Sequence, residues 1–221
     1  MRLLVLNRNK SNVFVKKRPL IAYSHPESII SEQYRMIQAN IKFSVADKIS
    51  RTFLITSPSK GEGKTRTAAN LAVSMAHQKD KVLLIDANLR SPDLHSVFKI
   101  QNSVGLTDIL MGRINFYDGI NHTEIGRLDV LTSGPIPTNP VELLSSRMMQ
   151  DVLSASLKSY DVVIIDSHSV LELTDTKILA NQCDGVVLVI QSGKTIHDKA
   201  FEAKKALEFA KAKLIGVIIN E

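Results

Sequence analysis

The 221-residue sequence has no tryptophan, one cysteine and only 5% aromatic side chains. A lone cysteine, Cys183, excludes an internal disulfide, so packing alone must hold the chain, and a reducing cytosol is the expected setting. No apolar run approaches the roughly 20 residues a membrane helix needs. Leu3-Leu4-Val5-Leu6 is also too short for the core of a signal peptide. Low-complexity tracts, internal repeats and a dividing linker are missing too, which leaves one α/β unit as the economical reading of this length. Acidic residues are outnumbered: 22 Asp and Glu stand against 28 Lys and Arg, a formal charge of +6. Lys10, Lys16, Lys17 and Arg18 place part of the excess in a basic leader over residues 1–27. Such a leader suits an anionic membrane surface or an acidic partner, and equally a solvated tail; no nucleic-acid partner is expected.

Strand-length runs of Val, Ile and Leu are abundant instead. They fall at 53–56, 82–86, 128–131, 162–166, 186–190 and 214–219. Most are continuous rather than alternating, as parallel strands covered on both faces require. Helical spacing occupies 65–78, 140–156 and 196–211, with a further helix from Ser28 to about Ser44. Alternating strands and helices predict a doubly wound parallel α/β sheet with right-handed crossovers. Ligands of such sheets bind beyond the carboxyl ends of the strands.

One such strand, Phe53-Leu54-Ile55, runs into Thr56-Ser57-Pro58-Ser59-Lys60-Gly61-Glu62-Gly63-Lys64-Thr65 and then into a helix. Strand, Gly-containing loop ending in Gly-Lys-Thr, and helix is the layout of a phosphate-binding P-loop. Glycines let backbone N–H groups curl around an anion, and the helix start adds free donors. Lys64 would reach the β- and γ-phosphates and the Thr65 hydroxyl would ligate Mg²⁺. Ser59, Lys60, Gly61, Glu62, Gly63 and Arg66 complete the candidate phosphate-binding set. Pro58 stands where the usual spacing puts the first glycine.

Two Asp residues close strand-like runs. Asp166 ends Asp161-Val162-Val163-Ile164-Ile165, a Walker B pattern whose carboxylate serves Mg²⁺. Asp86 ends Lys81-Val82-Leu83-Leu84-Ile85 and opens Asp86-Ala87-Asn88-Leu89-Arg90. An Asp there can merely cap the following turn, but two with a P-loop favour a nucleotide–metal site holding Thr65, Asp86 and Asp166.

Taken together these motifs resemble the bacterial tyrosine kinases, P-loop enzymes related to the MinD and ParA ATPases. The resemblance extends through Ser31-Glu32-Gln33-Tyr34-Arg35, the segment from Leu131 to Leu144 containing Gly134-Pro135-Ile136-Pro137-Thr138-Asn139-Pro140, and Leu214 to Asn220. It implies a P-loop kinase domain over 28–221, ATP and Mg²⁺ as cofactors, and tyrosine-bearing protein substrates in capsule or exopolysaccharide assembly. It also implies Asp86 as base, Arg90 as a switch or catalytic residue beside it, and Asn220 near the adenine. Glu32 and Arg35 would belong to the helix through which relatives form a homo-oligomeric ring. A membrane-anchored adaptor would recruit the cytoplasmic chain to the inner face of the membrane.

The sequence departs from that family at several points. Asn88 replaces a second acidic residue, Asp166-Ser167-His168-Ser169 replaces Asp-Thr-Pro-Pro, Gln38 replaces a ring-motif Arg, and Lys60 replaces a Pro. A carboxy-terminal tyrosine cluster is not found; the four tyrosines are Tyr23, Tyr34, Tyr117 and Tyr160. Weak autophosphorylation and loose oligomers are therefore expected. Two other readings stay open: a degenerate ATP-binding regulatory paralogue, and a MinD- or ParA-like positioning ATPase. The latter carry a further lysine at the position of Ser59. His168 reads chiefly as a loop side chain and Cys183 as a small buried one.

Overall fold

Phe53 and Ile55 enter one hydrophobic core while Leu54 between them enters another, and the same alternation recurs at Leu83, Leu84 and Ile85. A sheet with a core on each face follows from strands in which every position is apolar. The computed structural model describes residues 2–6, 20–44 and 51–221. In chain order these form β1 (Arg2–Leu6), α1 (Ile21–Ser24), α2 (Ile29–Ser44), β2 (Thr52–Thr56), α3 (Lys64–His77), β3 (Val82–Asp86) and α4 (Leu94–Phe98). Next come α5 (Leu106–Leu110), a 3₁₀ turn (Phe116–Gly119), β4 (Ile120–His122), β5 (Leu128–Leu131), α6 (Pro140–Ser145) and α7 (Arg147–Ser159). The chain closes with β6 (Val162–Asp166), α8 (Asp175–Gln182), β7 (Gly185–Gln191), α9 (His197–Phe209) and β8 (Leu214–Asn220).

The strands form one eight-stranded sheet in the order β1-β8-β7-β2-β6-β3-β5-β4. Every described pairing is parallel except β4 with β5. The doubly wound sheet expected from the sequence is present. β2 lies centrally between β6 and β7, so the loop that follows it emerges beside the carboxyl ends of β6 and β3.

Two expectations change. The leader over 1–27 contains β1, which pairs with β8, and α1, whose Ala22 N–H donates to Asn70 Oδ1 of α3 at 2.9 Å. Its basic stretch at Lys10, Lys16, Lys17 and Arg18 lies outside the described residues. The helix expected over 140–156 breaks at Ser146, whose backbone turns extended and whose hydroxyl accepts from Met149 N–H to start α7. On α2, Gln38, which stands in place of the ring-motif Arg, points inward. It is 4% exposed, donates to Asp80 Oδ2 at 3.3 Å and accepts from the Ser74 hydroxyl at 3.4 Å. Glu32 and Arg35 pair with each other on the same helix.

Candidate active site

The loop between β2 and α3 needs left-handed backbone at two places only, Gly61 (φ 80°) and Gly63 (φ 90°). Pro58, with its fixed negative φ, is therefore compatible with the loop even without the usual first glycine. Gly63 caps α3 with no side chain, so the first N–H groups of the helix are left for an anion, as is the positive end of its dipole. Lys64 and Thr65 open that helix and are nearly buried.

Local and long-range partners together brace the loop. The Lys60 N–H donates to Glu172 Oε1 at 2.8 Å, and the Ser57 hydroxyl donates to the Ser59 carbonyl at 2.7 Å. Glu62 turns its carboxylate away from the loop's mouth, accepting from the Thr195 hydroxyl (2.8 Å) and the Ser59 N–H (3.3 Å). Burial there raises its pKa above the ordinary value despite those bonds. Asn220 Nδ2 donates to the Glu62 carbonyl at 3.1 Å and lies across Gly63, where an added Cβ would meet it at 2.2 Å.

Below the loop, β3 and β6 are in register so that Asp86 stands opposite Asp166. Both are wholly buried. Burial, and then the neighbouring carboxylate, pushes Asp86 up to about 8. Burial raises Asp166 to about 6, with the nearby Lys64 ammonium pulling it back. Asp86 is also a structural cap: Oδ1 accepts from Asn88 N–H at 3.2 Å, and Oδ2 from the N–H groups of Asp93 and Leu94 at 3.2 and 3.1 Å.

A cavity of about 470 Å³ opens at the loop and the start of α3. Of the sequence candidates, Lys60, Gly61, Gly63, Lys64, Thr65, Arg66 and Asn220 line it. Ser59, Glu62, Asp86 and Asp166 do not: the Ser59 backbone and the Glu62 carboxylate are taken up in the loop's bracing, and both Asp side chains are wholly buried. Arg90 is not brought in either: its guanidinium reaches Asp175 at the start of α8, Nε to Oδ2 at 2.8 Å. His168, read from the sequence as a loop side chain, and Asp93, which the sequence did not single out, also line the cavity. The altered residues after Asp166 were the available signal for His168; Asp93 carries none beyond following Pro92 in the Asp86 turn. Burial, followed by the Lys64 charge, outweighs backbone and carboxylate help and lowers the His168 pKa.

Nine buried side-chain atoms lack a hydrogen-bond partner among the described residues, and five of them surround this site. They are both Asp166 oxygens, Asn88 Oδ1, His168 Nδ1 and Ser169 Oγ. Orphaned polar atoms are costly, so their concentration marks the place where a polar ligand belongs. Among the described residues no three His, Cys, Asp or Glu side chains are grouped to hold a metal by themselves. That suits Mg²⁺, which takes one or two carboxylates and completes its shell with phosphate oxygens and water. Thr65 and Asp166 fit that share.

The "AAA domain" family model matches residues 50–198. Tyrosine-protein kinase YwqD of Bacillus subtilis (strain 168) is 46% identical over 217 residues, covering 98% of this chain and 91% of the relative. The chimerical protein CapA2B2 superposes with a TM-score of 0.88 at 40% identity, covering 91% of this chain and 88% of that one. The kinase domain of Escherichia coli tyrosine kinase ETK gives 0.89 at 29% identity, covering 96% and 84%.

Proposed function

The chain belongs to the bacterial tyrosine-protein kinases, and on that premise we propose that its cavity binds ATP with Mg²⁺ and passes the γ-phosphoryl group to a protein tyrosine. The observation that carries this reading is the group of orphaned polar atoms beneath an anion-binding loop and helix start. The backbone of Gly61–Thr65 and the Lys64 ammonium hold the phosphates. Mg²⁺, when bound beside Thr65 and Asp166, neutralises charge on the β- and γ-phosphates. The incoming tyrosine oxygen forms the new bond to phosphorus as the bond to the β-phosphate oxygen breaks, and ADP leaves. Asp86 takes the hydroxyl proton, a role that requires its carboxylate to be ionised when ATP and tyrosine are bound. Arg90 supports the site at one remove by tying the Asp86 turn to α8.

The same reading places the enzyme in capsule or exopolysaccharide assembly, activated by a membrane-anchored adaptor and assembling through α2. None of the helices among the described residues is long and apolar enough to cross a membrane, and an adaptor would supply the anchorage. Phosphate is expected on a partner protein and not on Tyr23, Tyr34, Tyr117 or Tyr160, of which Tyr34 and Tyr160 are buried and the other two exposed.

The test is a phosphotyrosine assay with ATP, Mg²⁺ and a candidate adaptor fragment, run beside calorimetry with ADP·Mg²⁺. Lys64→Ala should lose most nucleotide affinity while its circular dichroism stays native. Asp86→Asn should bind nucleotide and transfer no phosphate. Unchanged affinity in Lys64→Ala would overturn the assignment of the cavity.

A further inference from the structure

Three successive peptide groups of the phosphate-binding loop are held through their carbonyl oxygens. Lys194 Nζ donates to the carbonyl oxygens of Lys60 and Gly61, each at 3.0 Å. Asn220 Nδ2 donates to the next carbonyl, that of Glu62, at 3.1 Å. A trans peptide is planar, with its C=O and the following N–H on opposite sides, and no described peptide here is cis. Holding the carbonyls of residues 60 and 61 toward Lys194, which does not line the cavity, therefore turns the N–H groups of Gly61 and Glu62 toward the cavity, and the Gly63 N–H belongs to the peptide that Asn220 holds. Among the described residues those three N–H groups donate to nothing. They are aimed donors awaiting an acceptor.

The bracing is needed because Gly61 and Gly63 are the two residues of the loop at positive φ. Glycine backbone crosses between conformations at little cost. A flipped 60–61 or 61–62 peptide would present a carbonyl oxygen to a phosphate, turning an attraction into a repulsion. The turn that carries Lys194 is fixed in its own right. The N–H groups of Lys194 and Thr195 donate to the Gln191 carbonyl, and the Gln191 N–H donates to the Thr195 hydroxyl oxygen at 2.9 Å. That hydroxyl in turn donates to Glu62, while the Ser192 N–H donates to the Asn220 carbonyl at 2.9 Å. Turn, loop and the end of β8 are thus one connected unit.

We propose that Lys194 is a positioning residue of the phosphate site. From the turn between β7 and α9 it orients the loop's N–H donors, with Asn220 as the second support. This role rests on the nucleotide reading of the cavity, and it differs from that of Lys64, whose ammonium faces the phosphates directly. Contacts to the phosphates exist in the ground state and the transition state alike, so their loss should appear in KM more than in kcat.

The experiment compares Lys194→Met, Lys194→Arg and Lys64→Ala in calorimetry with ADP·Mg²⁺, in ATP kinetics and in thermal melting without ligand. Lys194→Met should weaken ADP·Mg²⁺ about tenfold, the scale of one charge-assisted hydrogen bond. The KM for ATP should rise by a similar factor with a smaller change in kcat, and the ligand-free melting temperature should stay unchanged. Lys194→Arg, which can still donate to both carbonyls, should recover most of the affinity. Wild-type affinity in Lys194→Met beside lost affinity in Lys64→Ala would overturn the proposal and leave the nucleotide site standing. An affinity loss that comes with a lowered ligand-free melting temperature and no rescue by Arg would also overturn it, as a general structural effect. Retained affinity in Lys64→Ala would remove the nucleotide reading itself, and this proposal with it.

Discussion

Asn88 is where a single side chain most affects the chemistry. It is buried, its Nδ2 donates to the Ser91 carbonyl at 2.7 Å, and its Oδ1 has no partner. An Asn88→Asp change would remove that donor and put a third carboxylate beside two that burial already holds above their ordinary values. The ligand-free variant should lose about 2 kcal/mol, an order-of-magnitude figure for a broken buried hydrogen bond plus added repulsion. That corresponds to a melting temperature lower by about 4–8 °C for a chain of this size. Mg²⁺ with ADP should restore more stability to the variant than to the wild type, and turnover should become more Mg²⁺-dependent. Equal Mg²⁺ responses in the two proteins would mean that position 88 does not face the ion. A motif fixes where Lys64, Thr65, Asp86 and Asp166 fall along the chain, so these candidates can be named from the sequence alone. Arg90 and Asn220 were less legible, because their partners, Asp175 and the Glu62 carbonyl, lie 85 and 158 residues away.

Elements are placed by backbone contacts as much as by side chains, and α5 shows this. The N–H groups of Leu106 and Thr107 donate to the carbonyls of Thr132 and Ser133, at 2.8 Å each, docking the start of α5 onto the chain leaving β5. The approach requires Gly105: a Cβ there would lie 2.2 Å from the Thr132 oxygen and 2.4 Å from the Gly134 nitrogen. Backbone on both sides cannot retreat, so Gly105→Ala should cost about 3 kcal/mol in urea unfolding. Gly126→Ala, with nothing within 4 Å of its Cβ and no positive φ, should be neutral or slightly stabilising. Similar costs for the two would show that α5 does not dock as described. Long strands were readable because five consecutive apolar residues between turns have few alternatives. The five-residue β1 was not, since an Arg-led apolar run has no core signature of its own and is placed by its pairing with β8. The break between α6 and α7 was missed because Ser146 looks like any helical Ser until its hydroxyl accepts from Met149.

For the whole molecule, the price of holding a nucleotide site ready is buried acid, and pH should reveal it. The doubly wound sheet was evident in the order of apolar runs, yet the facing of Asp86 and Asp166 across two strands comes only from register. Both carboxyls sit above their ordinary values, at about 8 and about 6. A group that binds its proton more tightly in the fold contributes stability that is complete below its unfolded pKa, about 4, and is lost as pH rises through the folded value. Glu62, raised by burial, acts in the same sense. His168, lowered by burial and by Lys64, acts in the opposite sense, but only up to its ordinary 6.5. Above about 7 the falling trend belongs chiefly to Asp86. The melting temperature of protein freed of metal with a chelator should therefore decline between about pH 7 and 8.5. Asp86→Asn, which cannot ionise, should flatten that decline. Mg²⁺ and ADP should also reduce it in the wild type, because a cation beside the pair favours the ionised forms. At the acid end the sign reverses. Burial alone would raise Asp184, but the N–H groups of Arg51 and Thr52 and the Thr52 hydroxyl hold its carboxylate below the ordinary range. Its contribution is present above its unfolded pKa and lost as pH falls through the folded value, so Asp184→Asn should destabilise at neutral pH and much less in strong acid. A metal-free profile that rises or stays level from pH 7 to 8.5, by calorimetry, would show that Asp86 is already ionised in the unliganded fold, and that the site holds its charge without help from a cation.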